Sequence, residues 1–314
     1  LGSTHGADEC LYLQGKKGFI IDTVTHTFFG LTLYAAVKKE GWSRKEKTAF
    51  FVTAVGGSQI PDIDVISSWW DTAGRYQMWH RGLTHSVFLV PIWAALFSAI
   101  SWLFWKVKGW KLYGLGVLAV LIHDTSDLFN AWGTGYLEPF STQRITFGTI
   151  PIVDLTLWAI MLGGLLYAKL RKISRPHRVY KLVWLLMACH FIAQSAQGYA
   201  LYEQHAGRYE QFALSAGFVP GQFQMIGKKN GVVEISNATA FTEPKLQVEL
   251  KSQESADLDK LFAANPKAKT LYEWSPFVVL VDNEKQIGLY DPRFYRNGQS
   301  FLFEAIEKDL KQGK

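Results

Sequence analysis

Four short polar words punctuate a chain otherwise rich in apolar runs: Thr25-His26, Pro61-Asp62-Ile63-Asp64, His80-Arg81-Gly82-Leu83-Thr84-His85-Ser86 and His123-Asp124-Thr125-Ser126-Asp127. Histidine and carboxylate are costly to place near hydrocarbon, so their clustering at the edges of apolar segments requires a reason. Imidazole nitrogen and carboxylate oxygen are the donors that hold zinc and related divalent ions. The words supply enough of them for two ions, zinc first, with manganese or iron as other occupants.

His123 and Asp127 are four apart, so on a helix they share a face and can grip one ion. Asp124 points about 100° away and reads as a supporting or solvent-facing group. Asp62 and Asp64, two apart in a non-helical turn, can both reach a metal, or one can act as a general base; a helix-stop turn with solvated acids gives the same pattern. His80 and His85 bracket Arg81, whose planar fork suits a phosphate oxyanion as well as a topology charge. Arg144, in the loop Pro139–Arg144, could bind phosphate too. Asp154 opens an apolar helix and needs a partner, such as Arg144 or a metal-bound histidine. His190, alone in the last apolar stretch, reads as an interhelical packing or hydrogen-bonding residue.

These groups must be positioned by apolar helices. The chain of 314 residues is 48% hydrophobic and carries 12 Trp, yet the long apolar runs all lie before about residue 204. Ser86–Trp105 is 20 residues without a charge, which meets the length of a bilayer-spanning helix. Leu182–Tyr202 is a second such stretch, and Leu112–Phe129 and Ile152–Ala168 are similar. Thr23–Val37 and Thr48–Ile60 are shorter. The expected fold is therefore mainly α: a polytopic membrane bundle of about six apolar helices over 19–204, followed by a small α+β domain over 205–314. Residues 9–15 fit the E-x-x-Y-x-Q-G pattern of a tag-removal protease site, so 1–18 read as a cleavage remnant.

The formal charge is +6, but from Ala206 onward Lys+Arg and Asp+Glu number 14 each. The excess sits in three loops: Lys38–Lys47, Lys106–Lys111 and Lys169–Lys181. Basic loops between apolar segments speak for membrane topology rather than nucleic acid. They place those loops in the cytoplasm and every polar word, with the C-terminal domain, on the extracytoplasmic side. Two cysteines, Cys10 and Cys189, build neither a disulfide framework nor a zinc ribbon. In the C-terminal part, Gln222–Ile235, Lys245–Leu250 and Phe277–Leu289 read as strands, with a turn at Asp282-Asn283 and a closing helix over Phe301–Lys311.

The order Asp22-Thr-x-Thr-His26-x-x-x-Gly30, Pro-Asp62-x-Asp64, His80-Arg-Gly-x-Thr-His85-Ser and His123-x-x-x-Asp127 resembles the YdjM family of inner-membrane proteins, labelled metal-dependent hydrolases. It is similar, more weakly, to the zinc-dependent phospholipase C family, although the later His and Glu of that family's third metal position have no match. The resemblance implies His26, Asp62, His80 and/or His85, His123 and Asp127 as metal ligands; the spacing of the two aspartates adds Asp64 as a further candidate.

The function expected from these readings is a membrane phosphoesterase acting on a lipid or lipid-linked phosphate at the extracytoplasmic leaflet, through a water activated by two divalent ions. Asp64 or Asp124 would take a proton from water, and Arg81 or Arg144 would steady the phosphoryl oxygens. The alternative is a non-catalytic metal-binding sensor or scaffold. A transporter would spread polar groups through the membrane depth, and a zinc peptidase would carry H-E-x-x-H; neither pattern is present.

Overall fold

The computed structural model describes residues 23–308; the tag-like stretch 1–18 and Asp22 lie outside the described residues. In chain order the helices are α1 (23–36), α2 (Arg44–Gly57), α3 (Tyr76–Trp79), α4 (Val90–Trp105), α5 (Trp110–Asp127), α6 (Leu155–Leu170) and α7 (Pro176–His205). Strands β1 (Gln211–Ala216), β2 (Phe223–Lys229), β3 (Val232–Thr239) and β4 (Thr242–Lys251) follow. Helices α8 (Leu258–Ala264) and α9 (Pro266–Trp274) lead to β5 (Val279–Asp282), β6 (Gln286–Tyr290), β7 (Tyr295–Arg296), β8 (Gln299–Ser300) and β9 (Phe303–Glu307). The chain divides into two compact units. One holds the described residues up to Asp64 with Arg81–Ala196, and the other holds Val65–His80 with everything from Gln197.

In the helical unit, α2 starts where Ser43 and Glu46 cap each other: the Ser43 hydroxyl accepts from the Glu46 N–H, and the Glu46 carboxylate accepts from the Ser43 N–H at 2.8 Å. This reciprocal box satisfies two otherwise orphaned donors. Small residues let the helices approach closely. A Cβ on Gly30 of α1 would lie 2.7 Å from the Val55 Cα of α2, and one on Gly116 of α5 would lie 3.2 Å from the Ala94 Cα of α4. Leu33, Phe50, Ala54, Leu112 and Ala119 fill the space these contacts define. Burial of such side chains is worth about 25 cal/mol per Å² of apolar surface removed from solvent.

The six-span bundle is not what the chain forms. Among the described residues one helical stretch, Pro176–Arg208, is long and apolar enough to cross a membrane. A second span arises only if Tyr76–His85 and α4, bent by 72° where they meet, count as one. The reason is geometric. The 14 residues of α2 rise only about 21 Å and the 16 of α4 or α6 about 24 Å, against a hydrocarbon core of about 30 Å. Helix α5 is longer but carries Lys111, Asp124 and Asp127. The apolar run beginning at Ser86 loses its first turn to the bend, since α4 starts at Val90. The polar words are thus helix stops and corners, and they shorten every segment that hydropathy alone extends.

The second unit is built on an antiparallel meander, β1-β2-β3-β4, beside a three-stranded sheet of order β5-β6-β9. The Gln222–Ile235 run is β2 and β3 joined at Asn230-Gly231, both at positive φ as a tight hairpin turn requires. Phe277–Leu289 contains β5 and β6. The closing helix is replaced by β9, which pairs Gln286↔Glu307 through Tyr290↔Phe303 and fills an edge of β6 that would otherwise stay open. Leu201 and the ring of Tyr202, late in α7, pack on the first sheet with Leu214, Phe223 and Phe212. Arg293 is buried, bonds Asp291 through Nε and Nη2, and lies 4.9 Å over the Trp274 ring.

Candidate metal centre

Four elements bring the polar words together at one end of the helical unit. Helix α2 ends at Gly57, and the 3-10 stretch beginning at Ile60 turns Asp62 and Asp64 inward, both buried. A single 3-10 turn, Leu83–His85, delivers His85, and the last turn of α5 delivers His123 and Asp127. Helix α1 adds His26, whose ring stacks on His123 at 3.7 Å between centroids. His26, His85 and His123 are each 1% exposed or less, so these are interior groups and not a solvated rim.

The donor atoms converge. One atom each from Asp62, His85, His123 and Asp127 lies within 4.8 Å of every other. His85 Nε2 is 3.1 Å from His123 Nε2, 3.4 Å from Asp62 Oδ1 and 3.5 Å from Asp127 Oδ2. His123 Nε2 is 3.7 Å from each of the same two oxygens. Ligands about 2.1 Å from a tetrahedral ion stand about 3.4 Å apart, so the spacing fits a zinc-sized cation.

The histidines are also held in the tautomer a metal needs. His123 Nδ1 lies 2.8 Å from the Ser58 carbonyl, which can only accept, so Nδ1 carries the proton and Nε2 presents its lone pair to the cluster. His85 Nδ1 faces Asp64 Oδ2 at 3.4 Å and Thr84 Oγ1 at 3.1 Å, which turns its Nε2 inward as well. Such carboxylate and carbonyl partners orient metal-binding imidazoles.

Asp64 therefore sits one layer out. Its Oδ2 also accepts the Arg81 N–H and the Thr84 hydroxyl, both at 2.9 Å. Arg81 adopts a left-handed backbone, φ 59°, is 1% exposed, and sends Nε to Asp127 Oδ2 at 3.1 Å. His26 Nε2 reaches the other Asp127 oxygen at 3.4 Å. Asp124 is fully buried, and neither of its oxygens has a hydrogen-bond partner among the described residues, which is not the solvent-facing position its helical angle suggested.

The remaining candidates have contacts of their own. Arg144 donates to the Gly133 carbonyl at 2.8 Å and, longer, to that of Arg81. Asp154 caps α6 through the Thr156 and Leu157 N–H groups and bonds His190 at 2.7 Å, so its partner is neither Arg144 nor a histidine of the metal cluster. His80 closes α3 with its ring stacked on Tyr76 and is itself buried. The Ser58 carbonyl was not legible beforehand, because a backbone acceptor leaves no mark on residue type. Thr84 had one available signal, its position directly before a candidate ligand.

Comparison with known proteins follows from this geometry. The profile of the YdjM inner membrane protein family matches residues 21–201, more than half of the chain. The chain belongs to the YdjM family. An uncharacterized protein of Bacillus subtilis (strain 168), YfhP, is 33% identical over 138 residues, which is 43% of this chain and 42% of that protein. The chain thus aligns with less than half of the length of that relative. No solved structure matches. The region shared with the YdjM family contains every residue of the buried cluster. It also turns apolar side chains outward: Ile92, Leu103 and Phe104 on α4, Leu165 and Leu166 on α6, and Leu182, Leu185 and Ile192 on α7 are all exposed. An apolar exterior around a charged interior suits an inner-membrane family.

Proposed function

We propose that this YdjM-family chain is a membrane-embedded metal-dependent hydrolase acting on a phosphate ester of a lipid or lipid-linked substrate. The observation that carries the reading is the convergence of two Nε2 lone pairs and two carboxylates at tetrahedral spacing in a buried pocket. Asp62, His85 and His123 would hold the ion, with zinc the best match to the donor set. A bound divalent ion supplies Lewis acidity, lowering the pKa of a water and polarising a phosphoryl oxygen. Asp127 is the donor best placed to yield its position to a water, because Arg81 and His26 both compensate its charge. Asp64 keeps His85 in register and is the carboxylate that would take the proton from water; Asp124, buried and with no hydrogen-bond partner among the described residues, suits a neutral acid instead.

The lipid part of the reading draws on a cavity of about 310 Å³ lined by Phe29, Leu121, Ile122, Trp184, Met187 and Phe191 among others. It shares Phe29, Ser126 and Phe191 with a small cavity of about 20 Å³ at His26 and Asp127. An apolar groove beside a polar centre suits an acyl or prenyl chain whose headgroup reaches the donors. The basic loop Lys169–Lys181 precedes α7, the one helix long and apolar enough to cross among the described residues, and the positive-inside rule would put that loop in the cytoplasm. The other basic loops join α1 to α2 and α4 to α5, at the helix ends opposite those bearing His26, Asp62, His85 and Asp127, so they would lie toward the cytoplasmic face and the centre away from it. A thiol at Lys45→Cys should then label only from the cytoplasm.

One observation favours a second reading, a non-catalytic metal-binding sensor or scaffold: four protein donors complete a zinc tetrahedron, as structural sites do. Metal content of the purified protein, compared with His123→Ala and Asp62→Ala, tests both. The metal reading fails if the parent protein takes up no transition metal or if both variants keep full occupancy. The metal-to-protein ratio separates one ion from two, and turnover of a panel of phospholipids and polyprenyl phosphates separates hydrolase from sensor.

A further inference from the structure

The four-stranded meander has two ends of opposite character. At one end are the β2–β3 turn and its neighbours, with Lys229, Asn230 and Lys251 exposed. At the other are the β1–β2 turn, Gly217–Gln222, and the β3–β4 turn at Ala240-Phe241. The antiparallel register puts these two turns side by side, since Ala216 pairs with Phe223 and Phe223 with Ala238, while Thr239 pairs with Thr242. Three large apolar side chains stand out from them: Phe218 is 68% exposed, Val219 54% and Phe241 84%. Nothing in a water-facing hairpin favours Gly-Phe-Val-Pro-Gly at one tip and a bare phenylalanine at the next.

Helix α7 says what these tips face. Strand β1 runs back along the last turns of α7, with Phe212 against Tyr202 and Leu214 in one core with Leu201. The β1–β2 turn reaches Gln197: a Cβ on Gly221 would lie 2.9 Å from the Gln197 Oε1. The apolar tips therefore sit about two turns before the C-terminus of a continuous helix, and the charged end of the sheet lies further toward that terminus. Lys181 is the last charge before the apolar stretch of α7. Gln197 lies 16 residues further on, about 24 Å along the axis, and a hydrocarbon core is about 30 Å thick. A helix crossing from Lys181 thus leaves the core within about one turn of the level where the two tips stand.

We propose that the β1–β2 and β3–β4 turns anchor the C-terminal sheet to the surface of the bilayer that α7 crosses, with Phe218, Val219 and Phe241 entering the lipid interface. The partner is the phospholipid surface itself. Continuity with the crossing helix and the polarity of the sheet from apolar tip to lysine-bearing end argue for that occupant, since aromatic side chains favour the interfacial zone. The anchor holds residues 211–251 close to the membrane and stands independently of the metal reading.

The test uses the full chain in lipid nanodiscs, in a Cys10→Ser, Cys189→Ser background. Spin labels are placed one at a time by Phe218→Cys, Phe241→Cys and, as a control at the far end, Lys229→Cys. Collision with lipid-soluble oxygen should exceed collision with an aqueous nickel chelate several-fold at 218 and 241, and the preference should reverse at 229. If 218 and 241 behave like 229, the anchor does not exist. Exclusion of both reagents at 218 and 241, with dipolar broadening between labelled copies, would assign the tips to a second chain and overturn the proposal equally. All three positions are on the surface, so the labels leave the fold intact.

Discussion

Asp64→Asn separates an orienting carboxylate from a ligand. In the wild-type chain Asp64 Oδ2 accepts from Arg81 N–H and Thr84 hydroxyl at 2.9 Å and faces His85 Nδ1 at 3.4 Å, while Asp62, two residues earlier, reaches His85 Nε2 and His123 Nε2. The asparagine keeps the shape and most of the acceptor capacity but removes the charge that makes His85 a stronger base. Loss of such an outer partner lowers metal affinity about 10- to 100-fold, which is about 1.4 to 2.8 kcal/mol. The assay is a competitive zinc titration against a chromophoric chelator, with total metal measured separately at saturation. We expect a weakened dissociation constant with the full metal-to-protein ratio retained, whereas Asp62→Asn should lose occupancy at any practical concentration. Wild-type affinity in the Asp64 variant would refute the orienting role. A fall in its saturating ratio would make Asp64 a ligand in its own right.

Three further outcomes are expected. Ala188→Trp, which fills the apolar cavity beside α7, should abolish turnover of long-chain phosphoesters while sparing metal content and short water-soluble esters; equal loss of both would detach the cavity from the substrate. Asp291→Ala leaves the Arg293 guanidinium buried beside Trp274 and should cost about 3–5 kcal/mol in the stability of the C-terminal unit, read by thermal or denaturant unfolding. The Tyr209 phenol, raised by burial and by its bond to Glu234 up to about 12, contributes stability that is complete below its ordinary value of 10.0 and fades as the pH climbs through 12. Tyr209→Phe should flatten that alkaline loss, and an unchanged alkaline slope would mean that the phenol is not its source.

The site was more legible than the fold. His123 and Asp127 announce themselves by a spacing of four on an apolar helix, and the prolyl stop before Asp62 marks a turn that aims carboxylates inward. Segment length misled because hydropathy has no way to register a corner: Ser86 to Trp105 reads as one uncharged span, but the chain bends before Val90. His80 and His85 look equivalent in the sequence because a one-turn helix and a 3-10 turn carry no strong signature, and only the folded chain shows that His85 faces Asp62, His123 and Asp127. The strand over Phe303–Glu307 escaped for a different reason, since its pairing partner is an edge that only the assembled sheet exposes.

The two imidazole nitrogens 3.1 Å apart carry a thermodynamic consequence. With both Nδ1 atoms committed outward, the gap between the Nε2 atoms is stable only when something positive fills it. A proton can fill it, and a cation taking that place would have to expel the proton. Metal uptake would then be an exchange reaction, with a stoichiometric proton release that calorimetry in buffers of different ionisation enthalpy can count. The affinity of the centre is then a property of the compartment as much as of the chain, because acidity and metal supply compete for the same small space.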